Sequence, residues 1–311
     1  MEPEESPGPP QVSVLIVSYN SAEPLRRCLG ALESSAEREK FEILVVDCGS
    51  VDESPGLDSE FPNATFLRLP RNFGFTKAAN IGMRTAKGEF IFFLDPVVEV
   101  LPETVSSLAA RLEGEPEAVA VCPLLVSPEG EPVGEVRKLP DREGIAAAWR
   151  EGHWGPGCEL DLSAERLSVG FPSFAALMVR SYFLRGLRYI DERYGESWGG
   201  VDICFQILRA SRKILLFPGI RAVRHAGEGR SFPAEAGVQA LLSADWVMGA
   251  ATYAAKRYGF RAGLKVRLAA VFSALGQALL ALVRFRDVGY HFSRSSHLLG
   301  GHKLDGTQRG L

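Results

Sequence analysis

The chain has 311 residues, 46% of them hydrophobic, enough for one large domain or two ordinary ones around a well-packed core. A formal net charge of −3 leaves no basic footprint, so no nucleic-acid partner is expected. The five cysteines (Cys28, Cys48, Cys122, Cys158 and Cys204) are widely spaced and form no Cys-x-x-Cys pair, which argues against a disulfide framework or structural zinc.

Residues 1–10 are acidic and proline-rich, without the basic start and apolar run of a signal peptide, and read as a short disordered lead to a cytoplasmic protein. Residues 12–17 and 41–47 are apolar runs that stop at the polar loops Ser18-Tyr19-Asn20 and Asp47-Cys48-Gly49-Ser50, as buried strands do. Between them Leu25, Cys28, Leu29 and Leu32 form the stripe of a helix lying on a sheet. Strand, helix, strand predicts a right-handed βαβ unit. The pattern continues with strands at 65–69, 89–94 and 118–124 and helices at 77–86 and 103–113, predicting a doubly wound, mainly parallel α/β sheet of Rossmann-like type. In such sheets ligands sit beyond the carboxyl ends of the strands, which directs attention to residues 18–20, 47–52 and 95–99.

Residues 127–168 break this rhythm with a hairpin around Pro128-Glu129-Gly130 and a long irregular excursion. A strand at 175–179, a helix at about 201–211 and strands at 214–217 and 221–224 follow. The domain division is a lead at 1–10, a ligand-binding domain at 11–232 and a helical C-terminal region at 233–311. Within the last, residues 268–283 carry no charge and lie between Lys265 and Arg267 on one side and Arg284 and Arg286 on the other. At ~1.5 Å per residue this stretch spans roughly 24 Å, short of the ~30 Å hydrocarbon core of a bilayer. Two readings stand: a buried helix, or an interfacial helix resting on an anionic membrane surface and making the protein peripheral at the inner face.

The loops and their order closely resemble the family-2 glycosyltransferases, whose fold is called GT-A. The resemblance rests on Ser18-Tyr19-Asn20, on Asp47-Cys48-Gly49-Ser50-Val51-Asp52, and on Asn72-Phe73-Gly74-Phe75 with Asn80-Ile81-Gly82 and Gly88, and it covers residues 12–231. It implies a nucleotide-sugar donor bound through Ser18, Tyr19, Asn20, Asp47, Ser50, Asp52, Asn72, Gly74 and Asn80. Short polar side chains at strand ends suit the edge of a nucleobase, and Asp47 can accept from a ring N–H; capping of turns and helices is the plainer use of Asp47 and Asp52.

The resemblance further implies a divalent cation, Mg²⁺ or Mn²⁺, held by Asp95 and His225, although Val97 stands where a second carboxylate is usual. A catalytic base is implied in an acidic segment opening a helix; here that segment reads Trp198-Gly199-Gly200-Val201-Asp202, leaving Asp202 and the nearby Glu196 as candidates. Phe174 stands where a Gly-Ala pair usually faces the sugar, and Glu99 reads as an exposed loop charge. The resulting expectation is transfer of a sugar, with inversion, to a saccharide or lipid-linked acceptor. The alternative is a catalytically lapsed nucleotide-binding relative that acts as a scaffold or regulator in polysaccharide assembly.

Overall fold

The computed structural model describes residues 8–133, 136–225, 232–284, 287–302 and 304. The first seven residues of the expected lead therefore lie outside the described residues. So does Ser231, part of the sequence around His225.

Strands β1 (Val12–Ser18), β2 (Phe41–Asp47), β3 (Ala64–Arg68) and β4 (Phe90–Leu94) are parallel in the order β3-β2-β1-β4. β1 is buried along its whole length, as a strand covered on both faces must be, which explains its unbroken apolar run. Ser18 pairs in register with Asp47, and Ile16 with Leu94, so β1, β2 and β4 end together on one edge of the sheet. Helices α1 (Ala22–Glu33) and α2 (Phe75–Thr85) cover opposite faces; Leu25, Cys28, Leu29 and Leu32 are the buried stripe of α1.

Beyond β4 the sheet becomes mixed. β5 (Val98–Val100) is a short strand that the sequence does not announce. After α3 (Thr104–Glu113) and β6 (Ala118–Val126), the excursion forms α4 (Arg142–Glu151) and a two-residue strand β7 (Leu167–Ser168). The hairpin at Pro128 is present, with the Ser127 N–H bonded to the Glu131 carbonyl. α4 carries signals of its own: Asp141 accepts from the Gly144 N–H at its start, and Gly152 closes it with a left-handed backbone.

β8 (Ala176–Arg180) runs antiparallel between β4 and β6. The two strands expected at 214–217 and 221–224 form one, β9 (Lys213–Arg224), whose register against β6 shifts between Phe217 and Arg221. Pro218, which has no N–H to give the ladder, lies in that shift. The completed order is β3-β2-β1-β4-β8-β6-β9-β5, nine strands with β7 among the described residues. Helices α5 (Ser181–Gly186) and α6 (Gly199–Arg209) separate β8 from β9. The cysteines are free; Cys28, Cys122 and Cys204 are buried, and burial pushes their thiols up, so they act as packing groups.

The C-terminal region is α7 (Ala236–Tyr258), α8 (Phe260–Arg284) and α9 (Val288–Gly300). α7 enters the sheet's own core: Ala250, Tyr253 and Ala254 pack in the cluster that includes Leu15, Trp198 and Ile203. The Trp198 ring lies 5.6 Å from Trp246 and 5.5 Å from Tyr253, over Gly249, where any side chain would collide with the indole. Lys256 of α7 pairs across this interface, its Nζ 2.5 Å from Asp202 Oδ2 and 4.0 Å from Asp191 Oδ2.

α8 extends beyond the uncharged stretch because the turns carrying Arg261, Lys265 and Arg267 are helical as well. Its 25 residues are long and apolar enough to cross a membrane. One face does not meet a bilayer: Gly263, Ala270, Ala274, Ala278 and Ala281 are buried, and α8 packs against α7 and α9. The opposite face exposes Leu268, Phe272, Leu279 and Val283.

Asp202 is 4% exposed, so removal of Lys256 leaves a buried carboxylate without its close counter-charge, with the Gln206 amide donating at 3.3 Å. Lys256→Met is expected to lower unfolding free energy by about 2–3 kcal/mol, a reduced value because part of Lys256 stays in water. Urea denaturation checks this, and Asp202→Leu combined with Lys256→Met should restore most of the loss.

Candidate functional site

The paired ends of β1 and β2 build the first part of the site. The Cys48 N–H donates to the Ser18 carbonyl at 2.9 Å, and the two loops are then laced together. The Asn20 N–H reaches Ser50 Oγ at 2.9 Å, and Asn20 Oδ1 takes the Val51 N–H at 2.9 Å. Asn20 adopts a positive φ of 46° to do so. Ser18 Oγ lies 2.9 Å from Ser21 Oγ, and Asp52 Oδ2 accepts the Ala22 N–H at 3.0 Å, capping the start of α1. Asn20, Ser50 and Asp52 therefore fix the shape of the double loop.

Asp47 is different. It is 2% exposed, and its Oδ2 accepts from the N–H groups of Gly49 and Ser50 at 3.2 and 3.1 Å. Its Oδ1 is buried without a hydrogen-bond partner among the described residues. A buried carboxylate oxygen left unpaired is costly. Tyr19 packs its ring 5.3 Å from Phe232, and burial pushes its phenol up, keeping it protonated.

Asn72 and Asn80 work through the backbone. Asn72 Oδ1 accepts the Gly74 N–H at 2.9 Å, and Gly74 has φ +79° with the Leu304 carbonyl 2.6 Å from where a Cβ would sit. Asn80 holds Ile190 with both ends of its amide, at 2.8 and 3.0 Å, and also reaches Glu192. Its side chain thus ties α2 to the 190–196 segment.

Asp95 stands at the end of β4, with Oδ1 accepting the Val97 N–H at 3.2 Å. Val97 is buried in the core, and its carbonyl accepts the His225 N–H at 3.0 Å. The β5–β9 ladder in this way carries His225 to the same sheet edge as Asp95. Glu99, expected as a loop charge, lies on β5 and meets His225 Nε2 at 3.0 Å. That contact favours the tautomer with a proton on Nε2 and leaves the Nδ1 lone pair for a ligand, the arrangement in which a carboxylate orients a metal-binding histidine.

A pocket of about 230 Å³ is bounded by Asp95, Phe174, Glu196, Gly200, Arg137 and Arg224; His225 and the loops at 18–20 and 47–52 are not on its wall. Glu196 is placed by two backbone contacts: its Oε2 accepts the Phe75 N–H at 2.8 Å, and its own N–H donates to Asp245 Oδ2 of α7 at 2.9 Å. Asp202 does not line this pocket; its carboxylate is engaged by Lys256 and by Gln206 Nε2 at 3.3 Å. Glu99, Arg137, Arg224 and Asp245 are contributors that sequence reasoning misses. No local motif marks them, and each reaches the site through a distant pairing. Burial lowers the Arg137 pKa but leaves the guanidinium charged.

Two departures from the expected motif prove to be one packing unit. The Phe174 ring lies 4.5 Å from Phe93 and 5.9 Å from Phe75, and a Cβ on Gly200 would stand 2.8 Å from the Phe174 ring. Large at 174 requires small at 200.

The sequence model of the family described as glycosyl transferase family 2 matches residues 13–183, more than half of the chain, including the loops at 18–20, 47–52 and 72–74 and Asp95 but not Glu196, Gly200 or His225. The chain belongs to glycosyl transferase family 2. Among its relatives, the N-acetylglucosaminyl-diphospho-decaprenol L-rhamnosyltransferase of Mycobacterium tuberculosis is 26% identical over 231 residues, covering 68% of this chain and 75% of its own. An N-acetylglucosaminyltransferase of Mesorhizobium japonicum is 30% identical over 128 residues, 39% of this chain and 30% of its own. Solved structures share the GT-A fold of this family-2 chain. Residues 1–349 of S. aureus TarS in complex with UDP-GlcNAc superpose with a TM-score of 0.54 at 16% identity, covering 93% and 92% of the two chains. GalNAc-T7 with UDP, GalNAc and Mn²⁺ gives 0.58 at 18% identity, over 76% of this chain and about half, 48%, of its own.

Steric coupling between positions 174 and 200 is measurable. Gly200→Asp should cost about 1–3 kcal/mol of stability by overpacking. In a Phe174→Ala background the same change should cost at least ~1 kcal/mol less, read from a double-mutant cycle of denaturation curves.

Proposed function

We propose that this chain transfers a sugar from a nucleoside-diphosphate sugar to a hydroxyl of a saccharide or lipid-linked acceptor, with inversion at the anomeric carbon. The observation that carries this reading is the convergence of Asp95 and Glu196 on one pocket at the edge where β1, β2 and β4 end. Asp47 Oδ1 accepts from the nucleobase or ribose, and Tyr19 packs beside it. The Asn20, Ser50 and Asp52 lattice keeps that acceptor in place before the donor arrives, so little ordering remains on binding.

Glu196 takes the proton from the acceptor hydroxyl as its oxygen attacks the anomeric carbon. The bond from that carbon to the diphosphate oxygen breaks in the same displacement, and the nucleoside diphosphate leaves. A single displacement inverts the centre. Glu196 suits the role because two backbone contacts fix it at the pocket, whereas Asp202 is held by Lys256. Arg137 and Arg224 bring positive charge to the side of the pocket where the leaving group gathers negative charge.

Asp95 and His225 would hold Mg²⁺ or Mn²⁺, which supplies further neutralisation of the departing diphosphate. Mg²⁺ is commonly bound by one or two carboxylates plus substrate phosphates and water, so the loss of a carboxylate at Val97 is compatible with it. No group of three or more His, Cys, Asp or Glu side chains placed to hold a metal ion occurs among the described residues.

A nucleotide-binding relative without turnover is the second reading, favoured by the Phe174 ring over Gly200. Release of nucleoside diphosphate from a panel of sugar nucleotides separates the two, with nucleotide affinity measured alongside. Glu196→Gln should reduce release by about 10²-fold or more with nucleotide affinity unchanged. Asp202→Asn should lower thermal stability yet keep release close to wild type per folded molecule. Nucleotide binding with no release across the panel would establish the lapsed reading instead.

We further propose that the protein works at an anionic membrane surface, at the inner face of the cytoplasmic membrane. The support is the exposed apolar face of α8 with Arg261, Lys265, Arg267 and Arg284 near its ends. Phe272→Glu with Leu279→Glu should abolish co-sedimentation with phosphatidylglycerol-containing vesicles while leaving nucleotide binding intact. Undiminished sedimentation of that variant would remove the membrane reading.

A further inference from the structure

A second cavity, of about 540 Å³, opens from the same place as the first, for Glu196 and Ser197 line both. It runs between α4, α7 and α9, and Phe232 on its wall is the residue that packs against Tyr19 of the first loop. One end therefore meets the proposed base and the donor loop, and the other reaches the helices of the C-terminal region.

Its lining is specific in character. Trp149 of α4, Trp246 of α7 and Tyr290 of α9 contribute flat aromatic surface. Trp246 is fixed in orientation, since its Nε1–H donates to the Ala148 carbonyl at 2.8 Å. Arg150 and Arg294 add two guanidinium groups, the first held by its Nε–H to the Ala146 carbonyl at 2.9 Å and the second by Nη1 to Gln277 of α8 at 2.9 Å. The carboxylates on the wall are Glu196 at the inner end and Glu151, which faces His153. Aromatic faces suit the C–H faces of a sugar ring, and guanidinium groups suit phosphate oxygens. Leu242 provides apolar wall, and the Arg294–Gln277 bond links the outer end to α8, whose other face is exposed and apolar.

We infer that this cavity is the acceptor site, and that it takes a diphosphate-linked saccharide carried on a lipid. The saccharide hydroxyl lies toward Glu196, the sugar ring stacks between Trp149 and Trp246, the diphosphate meets Arg150 and Arg294, and the lipid leaves along α8 and α9. The assignment rests on the transferase reading for its direction, with the hydroxyl inward.

The test uses the full chain and N-acetylglucosamine 1-diphosphate bearing a short prenyl tail, with affinity read from the fluorescence of the cavity tryptophans. Arg150→Gln with Arg294→Gln should weaken probe binding by about tenfold or more, the loss expected for two charge-assisted hydrogen bonds. Leu242→Trp, which fills the cavity, should weaken it as much and serves if the arginine variant does not fold. A smaller loss in the folded variants, or no binding of the probe to wild type, overturns the assignment. So does displacement of the probe by a nucleoside diphosphate, which would give the arginines to the donor. Nucleotide affinity is measured separately: its absence in the wild type counts against the transferase reading, while the cavity stands or falls on the probe.

Discussion

The Asp245 carboxylate of α7 accepts the backbone N–H of Glu196 on one oxygen and that of Leu304 on the other, both at 2.9 Å. It is 1% exposed, and a Cβ on Gly195 would collide with it. A charge so deeply buried is tolerated only when hydrogen bonds replace its water. Its position therefore dictates the path of the 195–196 turn, and that turn dictates where the Glu196 side chain meets the Phe75 N–H. The same contact holds Leu304, whose carbonyl stands against Gly74, so α2, the turn before α6 and the chain after α9 meet around one carboxylate. The helical C-terminal region is in this sense part of the site: α7 completes the core through Tyr253 and Ala250 and supplies the group that places the proposed base.

This arrangement also explains which parts of the molecule the sequence reveals. β1 to β4 with α1 and α2 are legible because both faces of each strand are buried, so the apolar runs are unbroken and end where the sheet ends. The loops after β1 and β2 are legible because short polar residues follow unbroken apolar runs, although the hydrogen bonds that lace them join residues 30 and 31 positions apart. Asp47, Asp95 and Glu196 are prominent for the same reason, being acidic groups beside apolar strands or turns. The contributions that escape notice are those settled by contacts across long stretches of chain. Glu99 looks like a loop charge until β5 pairs with β9. Asp202 looks like a helix-opening acid until Lys256, 54 residues later, takes its carboxylate. Asn80 sits in a motif that suggests ligand binding, yet its amide fits the Ile190 backbone at both ends, which no spacing rule discloses. α4 was readable from Asp141 and Gly152, but the Pro and Gly around it mask a single helix of ten residues.

α8 poses a similar question of context. Composition alone describes an apolar helix, and composition is the same for a core helix and for one lying on lipid. What separates them is how the small and large residues are distributed around the axis. Gly263, Ala270, Ala274, Ala278 and Ala281 allow close approach to α7 and α9, and the large residues Leu268, Phe272, Leu279 and Val283 all stand on the side facing away. A helix evolved only to fill a core would place its large groups inward, where each buried leucine or phenylalanine contributes about 1.5–3 kcal/mol. The inverted distribution forgoes that contribution, and a surface that takes up the outer face restores it.

The same logic of compensating volumes applies at the centre of the pocket. The Phe174 ring fills the space that a side chain at position 200 would need, so the volume present at one position is absent at the other. Such a paired exchange keeps the packing density of the interior, so it can persist without disturbing the strands beneath. Glu196, four residues before Gly200 in the chain, lines the same pocket, and its N–H is held by Asp245. The loops after β1 and β2 lie on other strands, and of the third loop it is Phe75, at the start of α2, that packs edge-on against the Phe174 ring, so the exchange at 174 and 200 leaves the lacing between the first two loops as it is.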